Sequence, residues 1–224
     1  MRPPLKWLIV TADDFGISPG VSRGIVEAHF DGILTSTSLL VNRPAGPAAA
    51  ALGRECPTLS VGIHLELDAT DPESVPAELA RQLARFVALV GRPPTHVDSH
   101  HDVHRDPRVL PHVRAWAGRL GVPVRGDGPV RHLSKFYGQW GGETHLEQIS
   151  VDGLLRLLDT ELGDVEHVTE LTCHPGYVEP GFASSYSAER EAELRTLCDP
   201  RVRQALAERS IGLIGFRDLM EDAA

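Results

Sequence analysis

Short apolar runs and helical periodicities alternate along this chain almost from its first residue to its last. Residues 7–11 form a nearly continuous apolar run, the pattern of a strand buried on both faces of a parallel sheet. Ser18 then reads as a helix N-cap, with Pro19 at the first helical position and Gly32 as the stop. A second strand is expected over 35–41, an alanine-rich helix around 48–52, and a third strand over 60–67. The clearest helical period follows, with Leu79, Leu83, Phe86, Val87 and Val90 on one face. A fourth strand is expected over 95–99. The next helix opens at Asp106-Pro107, buries Leu110, Val113, Trp116 and Leu120, and closes at Gly121. A short fifth strand over 122–125 is interrupted by Pro123, and a glycine-rich stretch runs from 126 to 142. Ser150 caps a leucine-rich helix ending near Gly163, and a sixth strand spans 167–173. Helices over 188–197 and 200–209, a last strand over 211–215 and a terminal helix complete the chain.

Strict strand–helix alternation implies a parallel sheet. About seven parallel strands in one domain covering residues 1–224 favour a distorted, TIM-barrel-like (β/α) barrel over an open sheet. The polar residues point the same way. Asp13 and Asp14 follow the first strand, Asn42 the second, His100 the fourth and His174 the sixth, while Arg125 ends the fifth and His64 lies near the end of the third. The C-terminal strand ends of a barrel carry its chemistry, so these side chains are expected on one rim.

Composition narrows the function. With 42% hydrophobic residues in 224, the chain fills a core without staples. The three cysteines, Cys56, Cys173 and Cys198, are too scattered for a disulfide framework or a zinc ribbon. No run approaches a membrane span, and the opening run is too short for a signal peptide, so a cytoplasmic protein is expected. A formal net charge of −9 argues against nucleic acid and anionic membranes as partners. A small-molecule substrate is expected, and a homodimer is compatible with the sequence.

Histidine stands out: four of 11 (His96, His100, His101, His104) fall within one short segment that also holds Asp98 and Asp102. Imidazole nitrogen with carboxylate oxygen is the donor set of a borderline divalent metal, and a catalytic site keeps one position open. Asp98 is placed to fix a ligand histidine's ring through its second nitrogen. The pair Asp13-Asp14 offers one carboxylate to a metal and the other as a base, or else caps the next helix. Alternation puts His64 on one strand face with Glu66 and Asp68. Cys173 and His174 point to opposite faces, which disfavours a thiol–imidazole pair; His174 is the better proton donor. Phe136, Tyr137 and Trp140 crowd one loop, either as a stacking surface for a sugar or as a small satellite core.

Together, Ala-Asp-Asp-Phe-Gly (12–16), Gly-Ile-His-Leu (62–65), Thr-His-Val-Asp-Ser-His-His (95–101) and Cys-His-Pro-Gly (173–176) resemble the YdjC-type carbohydrate deacetylases, which include chitooligosaccharide and hopanoid-biosynthesis-associated members. The resemblance covers nearly the whole chain in order. It implies a distorted barrel and metal-dependent hydrolysis of an N-acetyl group on an amino sugar or N-acetylated glycoside, with release of acetate. By motif it implies Asp14, His64 and His100 as ligands of one divalent metal ion, and Asp13 as general base. Similarity to the broader polysaccharide deacetylases implies Arg125 orienting that base and His174 as general acid, while Asn42 at its strand end and the rings of Phe136, Tyr137 and Trp140 are expected toward substrate. The ligand set suits zinc, cobalt or nickel, whereas the family is often described with magnesium. Two departures stand out: Asp102 replaces a histidine of the family pattern, and the stretch between His64 and Asp98 is short. Two other functions share these residues. A metal-dependent phosphoesterase would draw His101, Asp102 and His104 into a multinuclear site; separately, Arg131 and Lys135, with His132 between them, either meet a phosphate on the substrate or are plain exposed loop residues. A non-catalytic sugar-binding homologue would bind without releasing acetate.

Overall fold

Strand β1 (Lys6–Phe15) is the axis of the sheet: every side chain from Leu8 onward is buried. The computed structural model describes residues 6–162 and 168–221. Along one edge β1 pairs in parallel with β8 (Val168–Cys173). Its other edge is shared by β9 (Ile211–Leu213) at the start and β2 (Ser36–Leu39) at the end. Beyond β2 lie β3 (Ser60–Leu65) and β4 (Val97–Ser99), and beyond β8 lies β5 (Arg131–Leu133), giving seven strands in the order β4-β3-β2-β1-β8-β5 with β9 on β1. All these ladders are parallel. The sheet curls into an incompletely closed barrel flanked by helices, as the alternation implied.

Eight helices are described: α1 (Pro19–Phe30), α2 (Gly46–Glu55), α3 (Val75–Val90), α4 (Leu110–Leu120), α5 (Val151–Glu161), α6 (Ala188–Leu197), α7 (Pro200–Glu208) and α8 (Phe216–Glu221). Ser18 Oγ accepts from the Val21 N–H and Ser150 Oγ from the Gly153 N–H, both at 3.1 Å, caps worth about 1 kcal/mol each. Among the described residues no helix is long and apolar enough to cross a membrane.

The structure corrects the expected elements in four places. Residues 122–125 make only isolated bridges, Val124 to Val97 and to Asp127, because Pro123 has no N–H and the chain reverses at once through Gly126 (φ 67°). The seventh strand comes instead from the glycine-rich stretch, as β5. That stretch also forms a hairpin of β6 (Gln139–Trp140) and β7 (Glu143–Thr144), turning through Gly141 and Gly142 at φ 61° and 80° as a two-residue hairpin turn requires. On α3, Val87 faces outward and Gln82 inward, because the Gln82 amide closes the end of the third strand: Nε2 donates to Glu66 O and Oε1 accepts from Glu66 N. On α4 the helix starts at Leu110 rather than Asp106, and Leu110 and Leu120 are only half-buried. The expected helix end at Gly163 and strand start at His167 lie outside the described residues.

Candidate functional site

Adjacent strand residues normally point to opposite faces, yet Asp13 and Asp14 both line one cavity of about 580 Å³. The backbone supplies the reason. The β1–β2 register shifts between Ala12 and Phe15, and Asp14 sits at φ 67°, so the strand bulges and turns the second carboxylate inward. A non-glycine residue held there costs on the order of 1–3 kcal/mol, strain of the kind found at functional sites.

Asp14 meets two histidines. Its Oδ1 lies 3.1 Å from His100 Nδ1 and 3.6 Å from His64 Nε2, and one donor atom from each residue falls within 4.8 Å of the others. Asp98 Oδ1 binds His64 Nδ1 at 2.7 Å, while Ser38 Oγ donates to Asp98 Oδ2 at 2.5 Å. That fixes the His64 ring and turns Nε2 toward Asp14. His101 and Asp102, at φ 57° and 55°, turn the chain sharply after His100, and both line the cavity.

The electrostatics favour a cation. Burial opposes charge on His64, yet Asp98, Asp13 and Asp14 push its pKa up to about 10. Burial likewise opposes charge on Asp14, but His100, His64 and Arg190 hold its carboxyl well below the usual range. Asp14 Oδ1 is buried with no hydrogen-bond partner. An orphaned carboxylate oxygen facing two imidazole nitrogens is a donor set that fits a divalent ion.

The other side of the cavity is built on Arg125, whose side chain is 1% exposed. It grips both oxygens of Asp13, forms an ion pair with Asp98 Oδ2 at 2.6 Å from Nη2, and donates to Glu170 Oε1 from Nη2 and Nε at 3.0 and 3.1 Å. One guanidinium thus holds three carboxylates; burial pushes that of Glu170 up. His174 Nε2 is 3.9 Å from Asp13 Oδ2, and burial with Arg190 and Arg125 lowers the imidazole pKa.

Helix α6 closes the site, and this the sequence reading missed. Its pattern looks solvated, but Glu189, Arg190 and Glu193 are buried. Glu189 accepts from Thr144 Oγ1 at 2.5 Å on the hairpin. Arg190 reaches Asp14. Glu193 accepts from the His174 N–H and the Tyr186 hydroxyl, and burial pushes its pKa up to about 8. The available signal was the scarcity of apolar positions in a helix that must pack on a core. Glu170, an acid inside a central parallel strand, gave a similar signal.

Not every expected side chain is brought to the cavity. Phe136 and Tyr137 line it; Tyr137 stacks on Tyr186 with centroids 4.5 Å apart. Trp140 does not: it is 50% exposed on the hairpin, stacked on His145. Asn42 also lies outside the lining, interacting with Glu78 of α3. Cys173 is a buried thiol donating to Thr11 O, its pKa pushed up by burial.

The histidine cluster divides by role. His104 binds Ser99 Oγ and the Arg125 carbonyl, and His96 is bound by Ser38 and Thr95. Both therefore serve as buried struts. Among the described residues the groups placed to hold a metal are Asp14-His64-His100 and Asp13-His64-Asp98, and His101, Asp102 and His104 belong to neither. Arg131 and Lys135 pair with Glu161, while His132 binds Thr172 and lines the cavity.

Against known proteins, the sequence profile described as "YdjC-like protein" matches residues 7–76 and 68–208. A carbohydrate deacetylase of Geobacillus stearothermophilus is 36% identical over 245 residues, covering 95% of this chain and 98% of that protein. A chitooligosaccharide deacetylase of Enterobacter sp. (strain 638) is 36% identical over 258 residues, covering 96% and 99%. Among solved structures, a proposed cellobiose-phosphate cleavage protein from Enterococcus faecalis V583 superposes with TM-score 0.85 at 29% identity, covering 96% and 98%. The family 4 carbohydrate esterase of Streptomyces lividans superposes with TM-score 0.59 at 12% identity over 93% and 91%, a likeness of fold.

Proposed function

The chain belongs to the YdjC-like protein family, and on that premise we propose that it hydrolyses the N-acetyl group of an amino sugar or N-acetylated glycoside, releasing acetate with a divalent metal ion as cofactor. The observation that carries this reading is one cavity lined both by Asp14, His64 and His100 and by the Arg125-bound Asp13 with His174.

An amide is a poor electrophile with a poor leaving group, so it needs carbonyl polarisation, an activated water and a proton for the departing nitrogen. Asp14, His64 and His100 would hold a divalent ion, which when bound would supply Lewis-acid polarisation of the acyl carbonyl. Asp13, fixed by two hydrogen bonds from Arg125, accepts the proton of the attacking water. His174, on the same side of the cavity, protonates the amine as the C–N bond breaks. Its lowered pKa makes the imidazolium a stronger acid than an exposed one. Tyr137, beside His174, offers a flat ring to the apolar face of a sugar.

The test is acetate release from a panel of N-acetylated amino sugars by protein stripped of metal and reloaded with zinc, cobalt or magnesium. Acetate that requires metal and falls about 10²–10⁴-fold in Asp13→Asn, with metal content retained, is the expected result. Full activity in Asp13→Asn would remove it as the base. Unchanged metal content in Asp14→Asn, by elemental analysis, would remove Asp14 as a ligand.

A further inference from the structure

Arg190 plays no part in the chemistry just outlined, yet it is buried against it. Its Nη2 donates to Asp14 Oδ2 at 2.5 Å across 176 positions of sequence, and its Nη1 donates to the His174 carbonyl at 3.4 Å. Its own carbonyl accepts from the Gly176 N–H at 3.2 Å, and its guanidinium lies 5.7 Å from the Phe182 ring. The side chain is thus anchored at both ends.

The two arginines of the site treat their carboxylates differently. Arg125 takes both oxygens of Asp13 in parallel, the usual fork of guanidinium on carboxylate. Arg190 takes one oxygen of Asp14 and leaves Oδ1 facing His100 and His64. The bulged, positive-φ backbone at Asp14 sets the direction of the side chain, and Arg190 sets which oxygen points where. A carboxylate that offered both oxygens to an ion would fill one more coordination position, the position a substrate or water must enter.

We propose that Arg190 is a positioning residue. By occupying Asp14 Oδ2 it makes Asp14 a single-oxygen ligand, and it couples that choice to the backbone carrying His174. The inference rests on the reading that Asp14, His64 and His100 hold a divalent ion.

Cobalt(II) titrated into the stripped full-length protein, followed by visible d–d absorption, separates this role from a structural one. Arg190→Met keeps the packing length but removes the donors. Arg190→Gln keeps a neutral donor and serves where the methionine variant does not fold. Wild type is expected to bind one cobalt per chain. The variants should still bind it, but with d–d bands shifted and about twofold weaker as the second Asp14 oxygen joins the ion. Turnover should fall about 10–100-fold with KM changed less than about threefold, as for other residues that orient a ligand. A variant spectrum superimposable on wild type would overturn the proposal while leaving the metal site intact. Absence of cobalt binding by wild type would overturn the metal reading, and the proposal with it.

Discussion

Arg125 holds Asp13 through two parallel hydrogen bonds, Nη1 to Oδ2 at 2.8 Å and Nη2 to Oδ1 at 2.7 Å, in a place where neither side chain is more than 9% exposed. The same guanidinium also makes ion-pair contacts with Asp98 and Glu170. Breaking a buried network of this kind costs more than forming it gains, because the remaining charges lose both solvent and partner. Arg125→Met is therefore expected to destabilise the protein by about 3–5 kcal/mol, read as a lower urea midpoint. Glu170→Gln, which replaces a carboxyl that burial already pushes toward its neutral form, should cost less than about 1 kcal/mol. Equal stability of Arg125→Met and wild type would show that the network carries no structural load.

Gly62 has a packing reason to lack a side chain. A Cβ at this position would lie 2.5 Å from the His96 ring, which is itself stacked on Phe216 with centroids 4.1 Å apart. The imidazole is fully buried and held by Ser38 and Thr95. Gly62→Ala is expected to lose about 1–3 kcal/mol through overpacking, measured by urea unfolding of metal-free protein. A change below about 0.5 kcal/mol would mean the ring can shift.

His96 also makes stability depend on pH. Burial lowers its pKa from 6.5 to about 4. Above pH 6.5 the ring is neutral in folded and unfolded chains alike. Between 6.5 and 4 the unfolded chain takes up a proton that the folded chain refuses, so stability falls as pH falls. The full shift corresponds to about 3 kcal/mol. Glu193, whose pKa burial raises to about 8, acts with the opposite sign as pH falls, so the His96 contribution is read at the residue itself: its imidazole NMR signals should hold their neutral positions to about pH 5. A His96 ring that titrates near 6.5 in the folded protein would contradict this.

Two aromatic residues from one loop should behave differently. Tyr137 lines the cavity and meets His174 edge-on at 5.7 Å, whereas Trp140 lies out on the hairpin. Tyr137→Ala is expected to raise KM about three- to tenfold, the worth of one aromatic contact. Trp140→Ala should leave kcat and KM within about twofold. A larger effect at Trp140 than at Tyr137 would place the substrate over the hairpin instead.

Much of the fold was legible from periodicity. The capped helices after Ser18 and Ser150, the helix carrying Leu79 to Val90, and the parallel strands ending near Asp13, His64 and His174 appear where caps and the apolar pattern put them. Hydrophobic period, caps and turn glycines act between near neighbours in sequence, so a single chain displays them. Histidines and aspartates at strand ends were legible for the same reason, since the strand period places them and a barrel collects its strand ends. Even Val87 and Gln82 fail instructively: the helix was right, but one buried amide rotated its inner face.

The chain by itself determined the order of elements, the parallel sheet and the stock of metal-binding and acid–base side chains. Only the tertiary structure decided how these divide. It turned Asp14 inward through a bulge and placed His96 and His104 as struts. It drew β5 from a glycine-rich stretch in place of 122–125. It also brought Arg125 to Asp13 over 112 positions and Arg190 to Asp14 over 176. Such pairings leave no local period, because a buried charge is satisfied by whichever group the fold brings within about 3 Å, wherever that group lies in the sequence.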